Sequence, residues 1–316
     1  MIYDIADIWS ASDGWPVKRL KLAARDGGGA EKGALLFLGG RGDHMQKYSE
    51  TLEYWAETGW AVESFDWRGQ GGSGRFGKDR LTGHIDDFSC WLDDLEAYCR
   101  DWLARTAGPH VIVSHSMGGH ILLRALVERR VNIDAAVLVA PMIGIRASGL
   151  PGMVARAIAG AVCAAGYSCW PLWPSRLYGP GVERHMRRAL THSERRITQE
   201  IAFRRKHGDL IVDAPSWGWL KAAYRSIGLL EHAGGIEKVT APVLILATHG
   251  DRLVSMSAIM GVARRLPDAR IHCYGRSVAH EILREVDHVR DDALDRIDSF
   301  FDEVTAARRS RDGTAK

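Results

Sequence analysis

The chain has 316 residues, of which 46% are apolar and 26% are charged, and its formal net charge is +3. This composition is that of an ordinary globular protein, and the length favours one large α/β domain with an insertion. The basic residues are scattered, so the charge argues against a nucleic-acid partner. Five cysteines without regular spacing predict reduced thiols rather than disulfides or a zinc site, and we expect no metal and no cofactor.

Short β-branched runs alternate along the chain with longer amphipathic segments. The predicted strands are, in chain order, 17–23, 34–38, 61–65, 110–114, 136–140, 243–248 and 270–274. The predicted helices are 45–58, 85–103, 116–130 and 287–304. Such alternation is typical of a mostly parallel sheet with helices on both faces, so the sequence predicts an α/β fold.

The alternation stops after residue 141, where the chain becomes rich in Trp, Pro, Gly and Arg, and it resumes at residue 243. We interpret residues 142–231 as a helical cap inserted into a core that residues 1–141 and 232–304 form. Residues 305–316 are a polar, basic tail for which the sequence predicts disorder.

Two further segments indicate whether the protein crosses or contacts a membrane. Residues 157–175 carry no charge and approach the length of a membrane span. Their glycines and prolines favour an apolar helix that covers a pocket or touches lipid. The N-terminus has no basic region followed by an apolar core, so we expect a cytoplasmic protein, peripheral to the inner face of the membrane through its cap.

The segment SHSMGG (114–119) follows a predicted strand and begins a predicted helix. It is a nucleophile elbow, G-x-S-x-G, in which Ser114 replaces the first glycine. The small residues let strand and helix approach, and the tight turn lifts the hydroxyl of Ser116 clear of the sheet edge. We therefore predict that Ser116 is a nucleophile; the alternative is a glycine-rich helix start with no catalytic role.

A serine nucleophile needs a base, and the base needs a carboxylate to orient it. The elbow predicts that both come later in the chain, in the order acid, then histidine, at strand ends. Asp251 follows the predicted strand 243–248 and His280 follows the strand 270–274, so we assign them as acid and base. The alternatives are a helix-capping role for Asp251 and another of the 13 histidines as the base.

Two backbone N–H groups are expected to form an oxyanion hole. One belongs to Met117, directly after the nucleophile, and the other to Arg41 in the glycine-rich loop GGRGDH (39–44). A nucleotide-binding turn is the alternative for this loop, but neither G-x-G-x-x-G nor G-K-[ST] is present. The candidate substrate contacts are Gly40, His115, Trp170 and Trp173.

Six blocks of the sequence carry a resemblance to a known family: GGRGDHMQKY (39–48), DWRGQGGSG (66–74), SHSMGG (114–119), ALTHSERR (189–196), THGDRLVS (248–255) and VAHEILRE (278–285). They resemble the α/β-hydrolase superfamily, and within it the bacterial lysophospholipases and monoacylglycerol lipases of the serine aminopeptidase-like group. The resemblance implies an α/β-hydrolase fold with an inserted helical cap. It also implies the roles assigned above to Ser116, Asp251, His280, Arg41 and Met117, and a structural turn at residues 66–74.

We therefore expect a carboxylic ester hydrolase whose substrate is a small, lipid-like ester, either a lysophospholipid or a monoacylglycerol. The arginines of the cap and Arg41 favour an anionic head group. The alternatives are an amide or peptide hydrolase of the serine aminopeptidase type, and a non-catalytic α/β-hydrolase-fold module that binds a ligand. The sequence carries no signal of oligomeric state.

Overall fold

The computed structural model describes residues 2–25, 31–76, 79–146, 152–232 and 234–314. Within these ranges the strands are β1 (Asp7–Ser10), β2 (Pro16–Leu22), β3 (Gly33–Leu38), β4 (Trp60–Phe65), β5 (His110–His115), β6 (Ala135–Val139), β7 (Val243–Thr248) and β8 (Ala269–Tyr274). They form one sheet in the order β1-β2-β4-β3-β5-β6-β7-β8. β2 pairs antiparallel with β1 and β4, and the other neighbours pair in parallel.

The α-helices are α1 (Ile2–Ile5), α2 (Ser49–Glu57), α3 (Ser89–Arg105), α4 (Met117–Val127), α5 (Gly152–Ala164), α6 (Pro180–His185), α7 (Glu194–Lys206), α8 (Trp217–His232), α9 (Met256–Ala263) and α10 (Asp287–Thr314). Short 3₁₀ segments occur at Met45–Tyr48, Gly208–Leu210, Ile236–Lys238 and Ile282–Arg284, and Met186–Leu190 is a π-helical turn. The predicted α/β fold is confirmed.

The central strands are buried on both faces, which explains their unbroken apolar sequences. All six residues of β3 are buried: Leu36 and Leu38 pack in one core layer, and Leu35 and Phe37 pack in the layer on the opposite face. The parallel strands all point their carboxyl ends toward one edge of the sheet. Loops that follow β3, β5, β7 and β8 therefore meet at that edge.

Three differences from the predicted elements have simple physical causes. β1 was not predicted because it is an exposed edge strand, DIWS, with no apolar run. α3 begins at Ser89 rather than at residue 85, because the chain before it forms a turn in which the Asp87 carboxylate accepts the Ser89 N–H at 2.9 Å. α10 continues to Thr314, into the segment for which the sequence predicts disorder, and residues 315–316 lie outside the described ranges.

The segment between β6 and β7 contains helices α5 to α8 and no strand of the sheet among its described residues. It contacts the rest of the fold close to Ser116, where His120 of α4 and Ser226 of α8 form a hydrogen bond of 2.6 Å. Within the uncharged stretch 157–175, α5 ends at Ala164. In the described ranges, no helix combines the length and apolar character that a membrane crossing requires.

Candidate active site

Ser116 is the single residue between β5 and α4, and its backbone is strained. Its φ is +50° and its ψ is −112°, a backbone conformation that residues other than glycine rarely adopt. Backbone hydrogen bonds hold it there: its N–H donates to the Val139 carbonyl at 3.0 Å, and its carbonyl accepts from the N–H groups of His120 (3.1 Å) and Met142 (2.9 Å). The turn therefore presents the hydroxyl in one fixed direction.

The small residues around Ser116 are required by close backbone packing. A Cβ atom on Gly118 would lie 2.5 Å from the Gly39 carbonyl oxygen and 2.6 Å from that of Leu38. Ser114 is fully buried where the motif has its first glycine, and its hydroxyl donates to the Val137 carbonyl at 2.8 Å. The serine is therefore tolerated because its one polar group has an acceptor.

The structure brings the predicted acid and base to the hydroxyl. His280 Nε2 lies 2.9 Å from Ser116 Oγ, and His280 Nδ1 lies 2.6 Å from Asp251 Oδ2. The other carboxylate oxygen of Asp251 accepts the N–H groups of Leu253 (2.7 Å) and Val254 (2.9 Å). Asp251 and His280 are both 3% exposed, so this chain of hydrogen bonds is shielded from water.

The charges of this pair stabilise each other despite burial. Burial alone would lower the pKa of His280, but the Asp251 carboxylate and the hydrogen bond to it outweigh burial and raise that pKa above its ordinary value. Burial likewise opposes ionisation of Asp251, yet His280 and the two backbone N–H groups lower its pKa. Because an ionised carboxylate only accepts, Nδ1 carries the proton and Nε2 is free to accept the serine proton.

The loop after β3 packs directly on the elbow. A Cβ atom on Gly40 would lie 3.1 Å from the Cβ of Ser116, so only a glycine leaves this approach open. The turn continues through Gly42, whose φ of +71° suits glycine. Asp43 closes the loop by accepting the Gly40 N–H at 2.7 Å.

Two N–H groups at this contact are available to a ligand. In the loop, the N–H of Gly40 donates to Asp43 and that of Gly42 donates to Gln70 Oε1. Among the described residues, no acceptor is found for the N–H of Arg41 or Met117. These are the two groups that the sequence predicts for the oxyanion hole.

Comparisons with known proteins place the chain in a family. The family model described as "Serine aminopeptidase, S33" matches residues 29–287. The chain belongs to this family. It is 28% identical over 293 residues to "Lysophospholipase L2" of Escherichia coli K12, which covers 83% of this chain and 78% of the relative. It is 25% identical over 271 residues to "Probable lysophospholipase L2" of Haemophilus influenzae, with 84% and 83% covered.

Solved structures share the fold of this serine aminopeptidase-family protein. A monoglyceride lipase from Saccharomyces cerevisiae, solved with a substrate analogue, aligns with a TM-score of 0.76 at 17% identity and covers 96% of both chains. A monoacylglycerol lipase from Paleococcus ferrophilus aligns with a TM-score of 0.66 at 19% identity and covers 92% of this chain and 98% of that chain. At these identities the likeness establishes the α/β-hydrolase fold alone.

A buried ion network, which the sequence did not reveal, joins the β3 loop to the loop of the base. Lys47 Nζ lies 2.6 Å from Asp43 Oδ1 and 2.5 Å from Glu281 Oε1. Arg284 donates to the other oxygen of Glu281 at 2.6 Å. Removing one partner of such a buried ion pair typically lowers the free energy of unfolding by about 3–5 kcal/mol. Because Glu281 follows His280, the network holds His280 and the β3 loop in one arrangement.

His115 belongs to this support and not to the substrate surface that the sequence predicts for it. It is 3% exposed, and its Nδ1 lies 2.8 Å from the Tyr48 hydroxyl and 3.1 Å from Asp43 Oδ2. Its ring also packs 4.9 Å from the ring of His280. A side chain committed to these contacts positions the loop beneath the reaction centre.

The sequence predicts Trp170 and Trp173 as substrate contacts in the inserted segment. They are 62% and 46% exposed on the surface of the inserted segment. Trp170 packs edge-to-face against Tyr167 at 4.9 Å, and Tyr167 is itself exposed.

The turn after β4 is structural, as the resemblance implied. Asp66 accepts the Gly72 N–H at 2.7 Å and so shapes the turn. Arg68 forms ion pairs with Asp13 and with the buried Asp94, at 2.5 Å and 2.6 Å. These contacts leave neither side chain directed at Ser116.

The packing at the elbow predicts a strong effect of Gly118→Ala. Because the added methyl group would meet two backbone carbonyls that cannot move independently, we expect α4 to shift away from the β3 loop. Turnover of an ester substrate should fall by about 10²-fold or more, the effect typical of misplacing an oxyanion donor. The measurement is kcat/KM together with the Tm of the variant.

Gly160→Ala is the matched control, since Gly160 lies within α5 and has no atom within 4 Å of the added Cβ. It should leave kcat/KM unchanged and stabilise the helix by about 0.5–1 kcal/mol. Equal kcat/KM for Gly118→Ala and the wild type would show that the close approach is not needed.

Proposed function

We propose that this protein is a serine hydrolase that cleaves carboxylic esters of lipid-like substrates, a lysophospholipid or a monoacylglycerol, through an acyl-enzyme on Ser116. The observation that carries the proposal is the continuous chain from Ser116 Oγ to His280 Nε2 (2.9 Å) and from His280 Nδ1 to Asp251 (2.6 Å). Within the part of the chain that the structure describes, the N–H groups of Arg41 and Met117 have no acceptor. Nucleophile, base, orienting acid and oxyanion donors are then all provided.

The proposed reaction follows from this geometry. His280 Nε2 takes the proton of Ser116 as Oγ attacks the ester carbonyl, and Asp251 stabilises the imidazolium that forms. The N–H groups of Arg41 and Met117 donate to the oxygen that becomes negative. His280 then gives its proton to the departing alcohol, and water repeats the sequence on the acyl-enzyme.

The lipid-like substrate class is supported by the relatives and by the inserted segment. Two relatives that cover more than 80% of this chain carry the name lysophospholipase, and one is only "probable". The inserted segment between β6 and β7 carries exposed apolar side chains. An acyl chain is the substrate portion that such a surface accommodates.

Amide cleavage is the second candidate, because the family description names an aminopeptidase. A free substrate amino group needs a carboxylate near the nucleophile. The carboxylates next to His280, however, are already paired: Asp251 with His280, and Glu281 with Lys47 and Arg284. This favours ester over amide substrates. A non-catalytic ligand-binding role would not require an acid–base pair with these perturbed pKa values.

The first prediction of the proposal concerns Ser116→Ala. The wild type should hydrolyse p-nitrophenyl esters, a lysophospholipid and a monoacylglycerol, and the variant should fall to near background because the acyl-enzyme cannot form. Medium or long acyl chains should be cleaved at least as well as acetate, and peptide p-nitroanilides should be poor substrates. Initial rates over this substrate series measure the effect.

Ser299→Ala serves as the control, since Ser299 is exposed on α10. It should retain the wild-type rate. Peptide cleavage faster than ester cleavage would replace the esterase assignment with the amidase one, and full ester hydrolysis by Ser116→Ala would refute the mechanism.

The pH dependence of kcat/KM is expected to report His280. The neutral imidazole is the base, and its pKa is raised above the ordinary value of about 6.5 by Asp251. As the pH falls through this raised pKa the imidazole is protonated, so kcat/KM should decline with a midpoint above pH ~6.5. Asp251→Asn removes the charge that raises the pKa, so the midpoint should move to lower pH while kcat falls by roughly 10⁴-fold.

Asp302→Asn, at an exposed position of α10, should change neither the midpoint nor kcat. An acidic midpoint that is identical in Asp251→Asn and the wild type would assign the titration to another group.

We also propose a cytoplasmic protein whose inserted segment contacts the inner face of the membrane. Its support is an unusual concentration of exposed apolar side chains in that segment: Met153, Val154, Ile158, Tyr167, Trp170, Trp173, Tyr178 and Leu229. Met153 is 84% exposed and Trp170 is 62% exposed. Aromatic and aliphatic side chains gathered on one segment are typical of a surface that enters the lipid interface.

The double variant Met153→Glu/Trp170→Glu should bind phospholipid vesicles at least tenfold more weakly than the wild type, because two charges would enter the apolar interface. Co-sedimentation with vesicles measures the binding. Ile8→Glu is the matched control, because Ile8 is 52% exposed on β1, outside the inserted segment. This variant should bind vesicles as the wild type does. Equal loss in both variants would show that the inserted segment has no special role.

A further inference from the structure

A pocket of about 410 Å³ lies where the inserted segment meets the loops of the acid and the base. Its walls contain the arginines Arg146, Arg187, Arg188, Arg252 and Arg276. His192 and His249 add two further nitrogen-bearing side chains. Among the described residues that line it, Asp251 is the single carboxylate.

The positive charge of this pocket is largely uncompensated. Asp251 is committed to His280 and to two backbone N–H groups. Arg187 is paired with Glu194 at 2.8 Å. In the described ranges, no ion pair is found for Arg146, Arg188, Arg252 or Arg276. The pocket therefore gathers four guanidinium groups without a carboxylate to balance them.

Such an arrangement favours the binding of an anion. Like charges repel at close range, and several unpaired arginines around one concave site raise the local potential for a negative ligand. The planar guanidinium donates in a fork that matches the oxygens of a phosphate. A volume of about 410 Å³ is that of a small-molecule site rather than of a surface for a polymer.

The position of the pocket ties it to the reaction centre. Asp251, which binds His280, and Ala279, which precedes it, both form part of the wall. Arg146 donates to the Asp251 carbonyl oxygen at 2.6 Å, so this wall is continuous with the acid loop. In a lysophospholipid a glycerol unit separates the phosphate from the scissile ester, so the phosphate of such a substrate would bind near the reacting hydroxyl and not at it.

We propose that Arg146, Arg188, Arg252 and Arg276 bind the phosphate of a lysophospholipid head group while its ester lies at Ser116. The inference rests on the proposed esterase function and makes it more specific, because it separates phosphate-bearing from neutral lipid esters. It assigns the recognition of an anionic head group to these four arginines and not to Arg41, for which the sequence suggests that role. The Arg41 side chain instead donates to the Asp213 carbonyl and lies over the Trp219 ring.

The test compares kcat/KM for a lysophosphatidylglycerol and for a monoacylglycerol with the same acyl chain. Arg188→Ala/Arg276→Ala should lower the ratio of the two values by about tenfold or more, the loss of a few charge-assisted contacts at exposed positions. Arg188→Lys/Arg276→Lys, which keeps both positive charges, should retain part of the wild-type ratio. Arg100→Ala, an exposed arginine on α3, is the control and should leave the ratio unchanged.

Inorganic phosphate distinguishes a head-group site from a site for the free anion. If the pocket receives the head group, phosphate should raise the KM for lysophosphatidylglycerol in the wild type much more than in Arg188→Ala/Arg276→Ala, and barely affect monoacylglycerol. Phosphate that inhibits both substrates equally would overturn the head-group assignment.

The outcomes also separate this inference from the proposed function. Ester hydrolysis that depends on Ser116, with a substrate ratio unaffected by Arg188→Ala/Arg276→Ala, would refute the phosphate site and leave the esterase intact. Absence of ester hydrolysis in the wild type would refute the esterase. Binding of inorganic phosphate, measured by calorimetry and lost in the double variant, would then still support an anion site.

Discussion

The constraint on which the rest of the site depends is the contact between the start of α4 and the loop after β3. Gly118 lies so close to the backbone at Gly39 that no side chain fits between them, and Ser116 is held with a φ of +50°. The backbone strain is offset by hydrogen bonds to neighbouring strands and loops. This contact brings the loop after β3, which contains Arg41, against the turn that carries Ser116 and Met117.

A buried ion network holds the loop after β3 and the loop that contains His280 in a fixed arrangement beside Ser116. Lys47 bridges Asp43 of the β3 loop and Glu281 of the loop that contains His280, and His115 adds a hydrogen bond from β5, the strand that precedes Ser116. A buried ion cluster of this kind contributes little net stability, because desolvation offsets the Coulomb attraction. Its benefit is geometric: the imidazole of His280 and the loop of Arg41 cannot move independently.

The sequence predicted the parts of the molecule that depend on local pattern. The apolar runs of the central strands and the G-x-S-x-G variant are local signals, and strand order placed Asp251 and His280 at one edge. The parts that it missed depend on long-range pairing. Nothing in the neighbourhood of Lys47 indicates a partner at Glu281, and the pocket arginines come from four separate segments. Exposure of Trp170 and burial of His115 likewise follow from packing that composition does not encode.

The central claim is that the hydroxyl at the elbow is activated by the imidazole 2.9 Å away. The most direct measurement is the rate of covalent labelling by a fluorophosphonate, with the modified residue located by peptide mass spectrometry. The account predicts a single adduct, on Ser116, whose formation is slowed by several orders of magnitude in His280→Ala. Labelling at the same rate in that variant, or an adduct on another side chain, would contradict it.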